Sequence, residues 1–197
     1  MFIYYYGFDL IFILTLIITL GAQAFISGKY ASTRRIRTKK GMTGASVARK
    51  ILDSNGLSNV TVREVSGELS DHYDPRSKTI NLSSDIYNGS SIASASVASH
   101  ECGHAIQDKE GYLFLKIRSS IVPLVNFSSY AGYFAILIGL IFSLMDLVFI
   151  GIIFEVVILA FQIITLPVEF NASHRALVQL KQLDIVDSSE HSKCRGM

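Results

Sequence analysis

The sequence predicts an α+β membrane protein with an N-terminal transmembrane anchor, a soluble domain holding a small β-sheet, a transmembrane helical hairpin and a C-terminal helix. Two observations carry this reading. Half of the 197 residues are hydrophobic, and the excess lies in Phe8–Ile26, Ile121–Met145 and Leu147–Leu166, each long enough to cross a bilayer at about 17–25 residues per helix. The 18 Lys and Arg residues fall instead in Lys29–Arg118 or Arg175–Arg195, with none between Arg118 and Arg175. The implied layout is an anchor at 1–28, a soluble domain at 29–120, a hairpin at 121–166 and a C-terminal helix at 167–197.

The first stretch reads as an anchor because "MFIYYYGFD" lacks the positive charge that precedes the apolar core of a signal peptide. Tyr4, Tyr5 and Tyr6 suit an aromatic belt at the far interface, while "RRIRTKK" (Arg34–Lys40) follows the span. Cytoplasmic flanks collect Lys and Arg, so both basic segments are expected in the cytoplasm and the hairpin turns near Ser143–Asp146 on the far side. A nucleic-acid role for the basic run is disfavoured, since net charge is only +2 and no aromatic residues interleave with it. Cys102 and Cys194 are the only cysteines, which argues against a disulfide framework.

Within the soluble segment, Thr43 is placed to cap a helix over "GASVARKILDSN", whose Val47, Ile51 and Leu52 share a face and whose end is marked by Gly56. "NVTVREV" alternates as a strand. "SDHYDPRSKTINLSS" reads as a hairpin turning at Asp74–Ser77, with "KTINL" as its return strand. That strand could be an edge that holds an extended peptide, or an interior strand. "SSIASASVASHECGHAIQDKE" is a helix of about five turns.

The last helix contains His100-Glu101-Cys102-Gly103-His104. Positions i and i+4 share a helical face, so both imidazoles can reach one ion, and Glu101 is held where it can take a proton from a bound water. The competing reading is a chance match in an ordinary helix. Cys102 points away and is expected to be a buried small residue, and Gly103 offers no side chain. A third ligand is needed. Glu110 lies just downstream, but Gln107 stands where a glycine would be required to turn the chain back. His72, His174 and His191 are isolated histidines. Glu169, in "PVEFNASHRAL", emerges on the same side as His104 once the hairpin has re-crossed, just past Pro167, which suits a first helical turn; a solvated carboxylate at a helix N-terminus is its alternative. Glu155 falls near mid-depth in the third stretch and is expected to face the bundle with Asn126 or Gln162.

HECGH, an apolar hairpin and then "EFNAS" together resemble the membrane zinc metallopeptidases of the HtpX and CAAX-prenyl endopeptidase type. The likeness is closer to the YugP-like neutral zinc metallopeptidases through "GMTGASVARKIL", "LSDHYDPRSKTINLSSDIY", "SVASHECGHAIQDKEGY" and "LPVEFNASHRAL". The resemblance implies a zincin-like domain, zinc as cofactor, Glu169 as third ligand and protein or peptide substrates. It implies a cell-membrane, multi-pass location with the catalytic domain on the cytoplasmic side. Ser173 stands where those relatives carry an aspartate that receives a ligand histidine's spare N–H; the hydroxyl can accept that bond uncharged, and Asn171 or His174 could share the role. Candidates for stabilising an oxyanion are His72, Tyr73, His174 and Arg175. The resemblance also implies a further apolar segment beyond "EHSKCRGM". The rival function is a catalytically silent zincin-like scaffold that only binds partners or metal.

Overall fold

The computed structural model describes residues 2–196, with side chains at position 10 and from 12 onward, so the Tyr4–Tyr6 belt lies outside the described side chains. Helix α1 (Phe2–Arg34) leads through the basic run to α2 (Gly44–Ser54), strands β1 (Thr61–Val65), β2 (His72–Asp74) and β3 (Thr79–Ser83), and the short α3 (Ser84–Asn88). Then come α4 (Ile92–Lys109), α5 (Leu113–Ile141), α6 (Met145–Gln182) and α7 (Ser188–Arg195). Among the described residues, α1, α5 and α6 are long and apolar enough to cross a membrane.

Local chemistry explains the elements around the site. The Thr43 hydroxyl accepts the Ser46 N–H and caps α2, whose Val47, Ala48, Ile51 and Leu52 are fully buried. Ser91 caps α4 in the same way through the Ser94 N–H. The α4 sequence is rich in Ala, Ser and Gly, which lets α2, α6 and α7 all approach it. Ile80 and Leu82 of β3 join Ile51, Leu52, Ile86 and Ile92 in the core, and Leu180 and Ile185 close it from the C-terminal side.

The sheet order is β1-β3-β2, with β3 parallel to β1 and antiparallel to β2. The "KTINL" segment is therefore the central strand, the interior one of the two alternatives open in the sequence, and β2 is the edge next to α4. The burial of β3 is the physical reason: Thr79, Ile80, Leu82 and Ser83 are all buried, which an edge exposed to water does not permit.

Pro167 likewise does not start a new helix. The α6 helix runs unbroken from Met145 to Gln182, with Pro167 inside it. Losing one backbone N–H is tolerated where neighbouring helices hold the segment, and α6 packs on both α5 and α4. Glu169 therefore sits mid-helix, which removes the helix-terminus account of it. The α5 and α6 helices close on Gly132, Ala135, Gly139 and Gly151, all buried; small residues allow such close approach in apolar hairpins. The turn is Phe142–Leu144, with Ser143 at φ 56°. Glu155 is exposed and makes no hydrogen bond to Asn126 or Gln162. The expected pairing with Asn126 or Gln162 is thus not made, while the Glu155 carboxylate still reaches the seam with α5, its Oε1 3.5 Å from where a Cβ on Gly132 would stand.

Candidate metal centre

One turn of α4 separates His100 from His104, whose rings meet edge to face at 4.8 Å. From α6, Glu169 brings Oε2 to 3.1 Å from His100 Nε2 and 3.5 Å from His104 Nε2. The three ligand atoms lie within 4.8 Å of one another. Zn–N and Zn–O bonds of about 2.0–2.2 Å in tetrahedral geometry put neighbouring ligand atoms about 3.3–3.5 Å apart. The two carboxylate–imidazole separations, 3.1 and 3.5 Å, fall within about 0.2 Å of that spacing, and a His₂Glu set leaves one position open.

The outer contacts decide which imidazole nitrogen faces the cluster. Gln107 is fully buried; its Nε2 donates to the Val168 carbonyl at 2.8 Å and to Asn171 Oδ1 at 3.0 Å. A carbonyl can only accept, so Gln107 Oε1 is the atom 3.0 Å from His104 Nδ1 and must accept its proton. His104 Nε2 is then the nitrogen that faces Glu169, carrying a proton toward the carboxylate that must leave before Nε2 can ligate an ion. His100 Nδ1 lies 3.1 Å from the Ser173 hydroxyl, which can accept in the same manner. The hydrogen bonds from His100 and His104 hold the Glu169 carboxyl far below the usual carboxylate range.

Glu101, next to His100 in sequence, is buried. Its Oε2 accepts the Tyr73 backbone N–H of β2 at 2.9 Å. Burial raises its pKa, against the opposing pull of the two histidines. The contact leaves Oε1 available and ties the edge strand to the HECGH helix. Tyr73 donates its hydroxyl to Asp108 at 2.6 Å, which also pairs with Lys78. Gly103 completes the joint between helices: a Cβ there would stand 2.4 Å from the Ala172 carbonyl oxygen of α6. Cys102 is buried against the Ala48 carbonyl, as expected of a small core residue.

A cavity of about 1160 Å³ borders the cluster. Of the sequence-derived candidates, His72 and Tyr73 line it; His174, Arg175 and Asn171 do not. Arg175 is drawn away by Glu110 at 2.6 Å and by Asn171, and His174 points to solvent. Glu110 is thereby removed from the cluster, and His191 of α7 is held by the Leu177 carbonyl of α6. Two cluster neighbours escaped the sequence reading. Gln107 follows His104 by three residues, a spacing that flags it. Arg118 lines the cavity with Nη2 3.7 Å from Glu169 Oε1, and only the third dimension reveals it.

With this geometry in place, residues 8–197 match the family described as "Putative neutral zinc metallopeptidase". The chain belongs to that family. It is 44% identical over 171 residues to "Putative membrane protease YugP" of Bacillus subtilis (strain 168), covering 85% of this chain and 76% of that protein. No solved structure matches. The name of the neutral zinc metallopeptidase family implies zinc, and the donor set of His100, His104 and Glu169 fits that ion in residue type and spacing, with Nε2 of each imidazole turned to Glu169.

Proposed function

We propose that the chain is a membrane-embedded zinc-dependent endopeptidase, with His100, His104 and Glu169 as metal ligands and Glu101 as general base. One observation carries this reading. Three ligand-type side chains from two helices, separated in sequence by an apolar hairpin, converge with their orienting partners already made, and a buried glutamate stands beside them.

His100, His104 and Glu169 would hold a zinc ion, whose Lewis acidity would bring the pKa of a water towards about 7 and polarise the scissile carbonyl. Glu101 accepts the water's proton on the oxygen not engaged by Tyr73 and delivers it to the leaving amine. Gln107 and Ser173 keep His100 and His104 in the ligating tautomer. Arg118 borders the cavity as a donor for the developing oxyanion, whereas His72 donates Nδ1–H to the Ser70 carbonyl and accepts the Asn81 amide at Nε2.

The same reading places the protein as a multi-pass cell-membrane protein with 29–120 and 167–197 on the cytoplasmic side, supported by the absence of Lys and Arg from the hairpin. The test is hydrolysis of a quenched fluorescent peptide by the purified protein in detergent. Activity should vanish on dialysis against a chelator and return with zinc; hydrolysis that persists in metal-free protein contradicts the proposal.

A further inference from the structure

The cavity beside the cluster does not end with the soluble domain. Its wall continues along α5 through Val122 and Pro123 to Asn126, inside a helix apolar enough to cross a membrane. On α6, Glu155, Gln162 and Glu169 recur every seven residues, a spacing that drifts by only ~20° per repeat, so the three share one face. Glu169 marks that face as the cavity's. At the other end, Glu155 Oε1 lies 3.5 Å from where a Cβ on Gly132 would stand, at the seam of α5 and α6. At 1.5 Å per residue, Gln162 is about 10 Å and Glu155 about 20 Å along the axis from Glu169, within a hydrocarbon layer of about 30 Å.

Asn126, Gln162 and Glu155 are exposed, and none has a hydrogen-bond partner among the described residues. Such groups are costly in hydrocarbon, so a row of them marks a path with an occupant. The chemistry of the row narrows what that occupant is. A peptide bond must be freed from its helix before it can be hydrolysed, and unwinding a membrane-spanning helix releases N–H and C=O groups that lipid cannot satisfy. Asn and Gln each offer a donor and an acceptor to those groups, and Glu accepts N–H. An intact apolar helix would gain nothing from them.

We propose that this polar track is the docking groove for the unwinding end of a transmembrane segment of a protein substrate, leading it from mid-membrane to the His100, His104 and Glu169 cluster. The proposal rests on the metallopeptidase reading and adds a substrate class, polypeptide already inserted in the same bilayer.

The test uses the Glu101→Gln chain in lipid nanodiscs with a photoreactive benzoylphenylalanine at Gln162. The probe is a fluorescent single-span Leu/Ala peptide carrying a Gly/Ser-rich flank. Irradiation should yield the adduct with the span peptide, well above that from the same group at Ile153, which lies on the opposite face of α6. In the active chain, Glu155→Leu combined with Gln162→Leu should lower the kcat/KM ratio of span peptide to soluble flank peptide by about tenfold, with zinc stoichiometry as the check on folding. If the double variant loses zinc, the adduct decides. Adducts only to lipid or to a second copy of the chain, or an unchanged ratio, overturn the groove. Failure of the metallopeptidase reading looks different: the parent chain would cleave neither peptide, and the adduct alone would decide docking.

Discussion

Replacing Gly103 by alanine should damage the metal centre even though alanine is the better helix former. Propensity favours Ala over Gly in a helix interior by about 0.5–1 kcal/mol, so an ordinary site on α4 would be stabilised. Here the added Cβ would meet the Ala172 carbonyl oxygen at 2.4 Å, about 1 Å inside the onset of ordinary contact at 3.4 Å. The obstacle is backbone and cannot rotate away, so α6 must retreat from α4 by roughly that amount. Overpacking of this kind costs about 1–3 kcal/mol, equivalent to a fall of about 2–12 °C in Tm for a chain of this size. The retreat also moves Glu169, one helical turn from Ala172, away from His100 and His104. Metal sites tolerate about ±0.2 Å, so zinc affinity should drop by about 10–100-fold, the range seen when groups that orient ligands are lost. Chelator competition measures the affinity and a thermal melt of the zinc-free protein measures the packing cost. A Gly103→Ala protein with the parent's zinc affinity and a raised Tm would refute the close approach of α4 and α6.

Other outcomes follow from the same contacts. Glu169→Ala should lose stoichiometric zinc while Glu110→Ala keeps it, because Glu110 is engaged with Arg175 away from the cluster; the reverse pattern would place the third ligand on α4. Gln107→Leu should weaken zinc by about 10–100-fold with little change in secondary structure by circular dichroism, since it frees His104 to take the wrong tautomer. Leu82→Ala, at a fully buried position on the central strand, should destabilise the core around β3 by about 2–5 kcal/mol in denaturant titration. For orientation, a cysteine at Asp146 should react with an impermeant maleimide added to intact cells and one at Ser77 should not; labelling of Ser77 alone would invert the topology.

The elements that declared themselves in the sequence are those whose cause is local. Thr43 and Gly56 bracket α2, the HECGH spacing sets two rings on one face, and Asp74–Ser77 turns a hairpin. Each depends on residues within a turn or two of one another. What stayed hidden depends on contacts between distant segments. The parallel pairing of β1 with β3 brings no pattern of its own, and it is what decides between the edge and interior readings of "KTINL". Pro167 reads as a helix start until α4 and α5 are present to hold α6 through it. Arg175 and Arg118 are equally plausible donors as letters. Only the fold shows Glu110 taking the first and the cavity keeping the second. Gly103 has no side chain to suggest a role, and its function is the space it leaves for Ala172.

The account's central claim is that a zinc held by His100, His104 and Glu169 works with Glu101 to hydrolyse peptide bonds. Glu101→Gln tests it most directly, measured as bound zinc and peptide hydrolysis on one preparation. Glutamine keeps the size of the side chain and can still face the Tyr73 N–H through its carbonyl oxygen, but it cannot take a proton from water. The expected result is one zinc per chain with hydrolysis reduced to the level of the zinc-free protein. Hydrolysis at the parent rate with zinc bound would contradict the assignment of Glu101, and with it the proposed chemistry of the site.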